Sequence, residues 1–187
     1  SNDRTKIIQL STDCVFSGKE GNYSEDYQHD GSSIYSKSRS LGEFYNNKDI
    51  IIRTSYIGPT LGSDREELFD WFLSQKESID GYSNALWNGI TTLELAKNIL
   101  KLIDFNFSGV YHITGEKKIS KLALLEIIKE IWGKKIIINN DNSLKIDRSL
   151  VDTKNLLEPL NYITMFKQLY NYMIKRKSIY KKYYLDN

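Results

Sequence analysis

The chain has 187 residues, of which 40% are hydrophobic and 27% are charged, and its formal net charge is +2. This composition is typical of a globular protein with a core of its own, and it favours neither a nucleic-acid nor a membrane partner. Cys14 is the single cysteine, which excludes an internal disulfide and, with two histidines, leaves too few ligands for a His/Cys metal site. No apolar run reaches membrane-spanning length, and the single cysteine is compatible with a reducing compartment, so we expect a cytoplasmic protein.

The first predicted strand covers residues 7–10, a short apolar run typical of a buried parallel strand, and small polar residues follow at 11–13. In open α/β sheets, ligands bind beyond the carboxyl ends of the strands. After a polar loop, residues 35–46 have the pattern of a helix that begins with Tyr35. A hydroxyl at a strand end, a phenol near a helix start and cations one turn later together predict a proton-transfer site.

The remaining pattern alternates strands with helices, which predicts a parallel sheet covered by helices. We predict strands at 49–53, 109–113 and 135–138, a short strand and loop at 79–87, and helices at 65–75, 91–103, 120–132 and from about 164 onward. Proteins of this type usually begin with a strand and a glycine-rich phosphate turn, but no G-x-G-x-x-G is present. We therefore interpret the chain as a piece of a longer protein.

Several segments resemble those of one enzyme family. Residues 10–18, LSTDCVFSG, resemble the S-T-D-x-V-F-x-G segment of extended short-chain dehydrogenases/reductases of the dTDP-4-dehydrorhamnose reductase type. Residues 35–43, YSKSRSLGE, resemble the Y-G-x-x-K-x-x-x-E helix of that family, and residues 52–58, IRTSYIG, resemble its R-T-S-W-V-Y-G strand end. Further segments follow in family order at 21–26, 89–96, 109–112 and 147–150.

The resemblance covers nearly the whole chain and implies its architecture. The chain would be the C-terminal portion of a Rossmann-type parallel sheet, interleaved with a small α/β substrate-binding domain. Residues 1–58 and 90–115 would belong to the remnant of the NAD(P)-binding domain. Residues 59–89 and 116–187 would form the substrate-binding domain. The glycine-rich N-terminal half of the family would be missing.

The resemblance also implies a reaction: reduction of a 4-keto-6-deoxy sugar nucleotide by NADH or NADPH, in surface polysaccharide or O-antigen synthesis. Thr12 would hydrogen-bond the keto oxygen, and Tyr35 would give it a proton as hydride arrives. The residues expected to contact the sugar are Asp13, Phe16 and Tyr56. The residues expected to contact the cofactor are Tyr35, Arg39, Thr54 and Ser55.

Arg39 departs from the family pattern, because a lysine is expected four residues after the tyrosine. A phenol with a pKa near 10 needs a nearby cation to act as an acid or base at neutral pH. Arginine supplies the charge but does not readily lose a proton. We expect that the chain alone is inactive and binds cofactor weakly. The alternatives are a non-catalytic binding or regulatory protein that keeps the reductase fold, and a sugar-nucleotide epimerase of the same superfamily.

The expected partners are a nucleotide-linked sugar, the N-terminal Rossmann half, and a second copy that docks through the Tyr35 helix. We interpret His112 as a satisfied core histidine, and Glu25 with Asp26 as part of a solvated loop. The basic and aromatic run at 175–184 is interpreted as a helix that covers the small domain with its aromatic side chains, rather than as a nucleic-acid or membrane contact.

Overall fold

The computed structural model describes residues 5–62 and 67–184 of the chain. In chain order, the strands and α-helices are β1 (Ile8–Thr12), α1 (Ile34–Leu41), β2 (Ile50–Thr54), β3 (Tyr56–Ile57), α2 (Leu68–Ser74), β4 (Ser78–Tyr82), β5 (Ala85–Trp87), β6 (Ile90–Thr91), α3 (Thr92–Asp104), β7 (Gly109–His112), β8 (Ile119–Ser120), α4 (Lys121–Trp132), β9 (Ile137–Asp141), β10 (Ile146–Asp147) and α5 (Tyr162–Ile174). Short 3-10 helices follow β1 at Asp13–Val15 and α5 at Lys181–Tyr183.

The central sheet has three parallel strands in the order β1-β2-β7. Every residue of β2 is buried, because its β-branched apolar run is covered on both faces of the sheet. The register pairs Thr12 with Thr54 and Arg53 with His112. The carboxyl ends of the strands therefore lie side by side, and this edge positions the candidate site.

The other strands form smaller sheets. β5 pairs with β10 in parallel and with β8 antiparallel, β4 pairs with β9 in parallel, and β3 pairs with β6 in parallel. α4 packs against α5 and β4, and the main core includes Phe69, Phe72 and Phe166, all without solvent exposure. The prediction of a mixed α/β fold with parallel sheets is confirmed, whereas the division into two interleaved domains stays a prediction.

A second, smaller core holds the loop after β1 against the segment after β10. It contains Val15, Phe16, Tyr23 and Leu150. The rings of Phe16 and Tyr23 are stacked with their centroids 4.4 Å apart. Backbone hydrogen bonds run from Tyr23 N to Ser149 O at 2.9 Å and from Val151 N to Tyr23 O at 2.8 Å. This packing places residues 146–150 next to the segment that follows β1.

Two predicted helices have different bounds in the structure. α1 ends at Leu41 rather than near residue 46, because Glu43 is buried and bonds Arg53 instead of continuing the helix. α2 begins at Leu68, and residues 65 and 66 of the predicted helix lie outside the described residues.

The C-terminal run is interpreted correctly in its packing but not in its secondary structure. α5 ends at Ile174, and a turn and a 3-10 helix follow it. Tyr180, Tyr183 and Tyr184 pack against the main core, as expected. None of the helices in residues 5–62 and 67–184 is long and apolar enough to cross a membrane.

Candidate functional site

Thr12 lies at the carboxyl end of β1, where its extended backbone ends the strand and caps the 3-10 helix that follows. Its hydroxyl accepts a hydrogen bond from Cys14 N at 3.1 Å and donates to Asp13 Oδ1 at 3.1 Å. Thr12 is 9% exposed and Asp13 is 6% exposed. The structure therefore brings these two predicted site residues together through a direct hydrogen bond.

Arg39 and Tyr35 are placed by α1, which begins after Ser33. A side chain at Gly31 would meet Ser36 Cβ at 2.6 Å, so the chain passes closely between the helix and the 3-10 turn. Nη2 of Arg39 donates to the carbonyl oxygen of Leu10, which anchors α1 to β1. Tyr35 is 55% exposed, and its hydroxyl makes no hydrogen bond within the described residues. The convergence of Tyr35 with Thr12 stays a prediction.

Thr54 and Ser55, which follow or end β2 and were predicted to contact the cofactor, form hydrogen bonds to other segments of the fold. Thr54 is buried, and its hydroxyl donates to Ile113 O at 2.7 Å. The carbonyl of Ser55 accepts a hydrogen bond from Ile90 N at 2.9 Å. These bonds join β2 to the segments after β7 and before α3, and a cofactor contact by either residue stays a prediction.

The predicted sugar-contacting residues differ in exposure. Asp13 is buried beside Thr12, whereas Phe16 is fully buried in the small core and can shape a pocket only through its neighbours. Tyr56 is 54% exposed at the start of β3. Their contact with a sugar stays a prediction for all three.

Two cations that the sequence analysis did not select lie close to Asp13. The ammonium of Lys121 lies 4.7 Å from the ring centroid of Trp87, and Arg148 Nη1 lies 3.7 Å from the sulfur of Cys14. Burial raises the pKa of Asp13, and the charges of Lys121 and Arg148 oppose that rise. Asp13, Trp87, Lys121 and Arg148 are called the Asp13 cluster below.

The sequence gives little signal for these two cations. Lys121 is an ordinary lysine at the start of a helix, and it reaches Trp87 because β5 pairs with β8 just before that helix. Arg148 lies inside the 147–150 segment that carries part of the family resemblance, and this is the signal from which Arg148 could have been found.

A buried polar network lies beside the site, centred on Arg53. Its guanidinium donates from Nη2 to Glu43 Oε2 at 2.8 Å and from Nη1 to Glu25 O at 2.8 Å. Ser11 Oγ donates to Glu43 Oε1 at 2.5 Å. Burial works to raise the pKa of Glu43, but the hydrogen bonds from Arg53, Ser11 and Tyr45 hold it below its usual value. Ser11, Glu25, Glu43, Arg53 and His112 are called the Arg53 network below.

Glu25 was expected in a solvated loop and His112 in the core, and the structure buries both. Glu25 is 5% exposed and accepts hydrogen bonds from His112 N at 3.3 Å and from the Thr153 hydroxyl at 2.6 Å. The solvated-loop interpretation is therefore wrong for Glu25, although Asp26 is exposed. His112 is fully buried, and its Nδ1 lies 3.0 Å from Val151 O, as expected for a satisfied core histidine.

Comparison with known proteins gives the family. A family model described as the RmlD substrate binding domain matches residues 2–145. The chain belongs to the RmlD substrate binding domain family. It is also 29% identical over 149 residues to the spore coat polysaccharide biosynthesis protein SpsK of Bacillus subtilis, a match that covers 70% of this chain and 52% of that protein. The chain thus spans about half the length of this curated relative.

Solved structures with the same fold include dTDP-4-dehydrorhamnose reductases. The enzyme from Clostridium acetobutylicum matches with a TM-score of 0.75 and 20% identity, over 91% of this chain and 66% of that one. The enzyme from Bacillus anthracis, solved in complex with NADP, matches with a TM-score of 0.77 and 19% identity, over 90% and 66%. At these identities the likeness shows the fold alone. With the family match, the predicted resemblance to this reductase type is confirmed.

A nicotinamide cofactor, as the RmlD family resemblance implies, fits part of this site. Nε of Arg39 is buried without a partner in the described part of the chain, and the Tyr35 hydroxyl is open to solvent. These donors suit the hydroxyls of a ribose. The sequence has no glycine-rich turn for the cofactor phosphates. As for metals, residues 5–62 and 67–184 hold no group of three or more His, Cys, Asp or Glu side chains that could bind one.

Proposed function

We propose that this chain is the catalytic and sugar-binding part of an NAD(P)H-dependent reductase that acts on a 4-keto-6-deoxy sugar nucleotide in surface polysaccharide synthesis. The observation that carries the proposal is the Thr12 hydroxyl at the end of β1, bonded to Asp13, with α1 anchored to the same strand by Arg39. The family match and the spore coat polysaccharide relative support it. Because the match covers 52% of that relative, we propose this activity for the chain together with a cofactor-binding half.

The reaction needs one hydride on the carbonyl carbon and one proton on the carbonyl oxygen. When bound, the nicotinamide cofactor supplies the hydride. Thr12 turns its hydroxyl from Asp13 to the keto oxygen and so orients the carbonyl. Tyr35 gives its phenolic proton to that oxygen, and the product is an alcohol.

Arg39 stabilises the phenolate that remains on Tyr35 by its positive charge. Because a guanidinium does not readily lose a proton, it cannot return one to the phenolate. Tyr35 is 55% exposed, so water can reprotonate it directly. This route replaces the relay that a lysine at residue 39 would offer.

The test uses the reading frame that contains this chain together with the cofactor-binding half. Oxidation of NADPH is followed with a dTDP-4-keto-6-deoxyhexose as substrate, for the parent protein and for Tyr35→Phe. We expect Tyr35→Phe to lower kcat about 100-fold or more, since general acid catalysis contributes that much. The exposed residue Tyr82 provides a matched control, and Tyr82→Phe should keep full activity. Equal kcat in parent and Tyr35→Phe would reject the mechanism.

A second candidate function is a non-catalytic binding protein that keeps the reductase fold. The contact of Arg39 with the Leu10 carbonyl favours it, because this guanidinium is committed to holding α1 in place. Arg39→Lys separates the two functions. Turnover that rises with the lysine indicates an enzyme, whereas sugar-nucleotide binding with no turnover in either form indicates a binding protein.

A further inference from the structure

β9 is an edge strand of a small parallel sheet. In the described part of the chain it pairs with β4 and with no other strand. The carbonyl of Asp141 accepts from the N–H of Ser83, just past β4, at 2.8 Å. Because alternate residues of a parallel strand bond to opposite sides, the N–H and C=O groups of Ile138 and Asn140 face away from β4. β9 therefore presents an open row of backbone donors and acceptors.

This edge lacks the protection that edge strands usually carry. Natural sheets block an open edge with charged side chains, prolines or bulges. Residues 136–140 of this chain read IIINN, with no charge and no proline. A segment of high β propensity and low charge pairs readily with another strand. The sequence of β9 therefore favours the addition of a strand at its open edge.

The two faces of this sheet differ in their cover. A Cβ on Gly81 of β4 would lie 2.8 Å from Leu122 Cδ1 and 2.9 Å from Ile138 Cγ2, so α4 packs closely on one face. The side chain of Ile137 points to the other face, because successive side chains of a strand alternate, and it is 65% exposed. An apolar side chain thus stands in solvent beside the open edge.

Opposite charges flank the strand on this exposed face. Lys135 lies two residues before Ile137, and Asp141 ends β9, so all three side chains share one face. The Asp141 carboxylate accepts a hydrogen bond from Ser143 N at 2.8 Å, which helps to lower its pKa and keeps it ionised. Neither Lys135 nor Asp141 forms an ion pair with a described residue. One end of the segment is positive and the other is negative, so it is complementary to an antiparallel copy of itself.

We propose that β9 pairs antiparallel with β9 of a second copy of this chain, about a two-fold axis at Ile138. In this register Lys135 of each copy lies opposite Asp141 of the other, and the backbone of Asn140 bonds that of Ile136 in the other copy. The two Ile137 side chains become diagonal neighbours on the exposed face, within reach of each other.

The charges select this register from the alternatives. Antiparallel pairing through the free backbone groups allows registers that differ by two residues. The neighbouring registers place Lys135 opposite Asn139 or Ser143, and both lose the ion pairs. Opposite charges directly across a strand pair are favourable, and like charges are unfavourable.

The pairing forms a closed interface that is separate from the candidate site. Two sheets of two strands become one sheet of four strands, and the two-fold axis stops the assembly at a dimer. β9 does not belong to the central sheet that contains Thr12, and the surface differs from that of α1. The inference is therefore independent of the proposed function, and either can fail alone.

The first test measures the dimer dissociation constant by sedimentation velocity over a range of chain concentrations. Lys135→Asp and Asp141→Lys each place like charges opposite one another at both ends of the interface. Each should weaken the dimer about tenfold or more. Lys101→Asp reverses the charge of an exposed lysine on α3 and should leave the dissociation constant unchanged.

The two reversals should compensate each other. In an equimolar mixture of the Lys135→Asp and Asp141→Lys chains, the new carboxylate of one chain faces the new ammonium of the other. The mixture should therefore form a heterodimer about as stable as the parent dimer, and the double variant should form a homodimer. This rescue requires Lys135 and Asp141 to face each other across two copies, which a structural role for either residue does not provide.

Asn140→Pro tests the backbone without a change of charge. The N–H of Asn140 faces the open edge, so its loss removes no hydrogen bond to β4, and a proline is tolerated there. The variant should lose the dimer and keep the circular dichroism spectrum of the parent. Asn139→Pro is the control, because the N–H of Asn139 faces β4 and its loss should weaken the fold itself.

Two outcomes would overturn the proposal. One is a parent chain that stays monomeric up to roughly 1 mM. The other is a dimer that keeps its dissociation constant in Lys135→Asp, Asp141→Lys and Asn140→Pro, which would assign the contact to another surface such as α1. If Asp141→Lys fails to fold because the bond to Ser143 is lost, Lys135→Asp and Asn140→Pro still decide between these results.

Discussion

The Arg53 network and the Asp13 cluster lie near the same edge of the central sheet, and they differ in how many of their buried polar groups are hydrogen-bonded. Arg53 is 2% exposed and donates to Glu43, to the Glu25 carbonyl and to the Tyr45 hydroxyl. The carboxylate of Glu43 accepts in turn from Ser11 and Arg53. In this network the buried charges are paired and hydrogen-bonded, as stable interiors require.

The Asp13 cluster also holds charged groups, but within residues 5–62 and 67–184 the Nε of Arg148 and the Nε1 of Trp87 have no hydrogen-bond partner. A satisfied buried network stabilises and orients the strand ends, whereas buried donors without acceptors cost stability. Stability measurements on the two clusters test this contrast, since removal of a charge should lower the free energy of unfolding much more in the Arg53 network.

The largest effect is expected for Arg53→Met. This substitution leaves the Glu43 carboxylate buried without its charged partner, which should lower the free energy of unfolding by roughly 3–5 kcal/mol. Urea unfolding followed by circular dichroism measures the change. The control is Arg176→Met, because Arg176 is exposed and its guanidinium carbon lies 3.9 Å from the centroid of the Tyr172 ring. Its loss should stay within about 1 kcal/mol.

Lys121→Met should change the free energy of unfolding by much less than Arg53→Met, because the ammonium is only partly buried and contacts the Trp87 ring without a hydrogen bond to a described residue. The comparison fails if Lys121→Met and Arg53→Met destabilise the chain to the same extent. That result would mean that Lys121 is structural and that the Asp13 cluster is satisfied in a way the hydrogen bonds do not show.

Local pattern was sufficient to predict the strands of the central sheet. The apolar runs at 50–52 and 110–113 need only burial on both faces to become strands. α1 shows the limit of such reasoning. The helical pattern continues past Leu41, but the bond of Glu43 to Arg53 ends the helix, and that partner lies ten residues away on another element.

The candidate site was predictable where one segment carries it and not where the fold assembles it. Thr12 and Asp13 are adjacent in sequence, and their position after an apolar run marks them. Arg148 meets Cys14 across 134 residues, through pairing of short strands that no local pattern specifies. Lys121 and Arg148 therefore became visible only when the structure placed them together.

Acid should weaken the Arg53 network. Burial, helped by the charge of Arg53, lowers the pKa of His112 to about 4 against an ordinary value of 6.5. Between these two pH values His112 binds a proton in the unfolded chain but not in the folded chain. The contribution of neutral His112 to the free energy of unfolding is therefore fully present above about pH 6.5 and is lost as pH falls toward 4. Urea midpoints measured across this range should fall with pH.

His112→Gln tests the source of that slope. The variant should show a shallower fall between pH 6.5 and 4, whatever its stability at neutral pH. Some slope should remain, because burial also lowers the pKa of His29. An unchanged slope would show that His112 does not titrate differently in the folded and unfolded chains.

The smallest expected effect is in alkali and belongs to the Asp13 cluster. Burial lowers the pKa of Lys121 from its ordinary 10.5 to about 8, so the folded chain loses this proton first as pH rises. Since the unfolded chain then binds more protons, the contribution of Lys121 to stability rises between about pH 8 and 10.5. The effect is smaller than that of His112 because Lys121 is only partly buried, and solvent screens its charge. The measurement is the difference in unfolding free energy between parent and Lys121→Met across this range. If that difference does not change with pH, the ammonium is solvated like a surface lysine, and the contrast between the two clusters rests on the Arg148 and Trp87 donors alone.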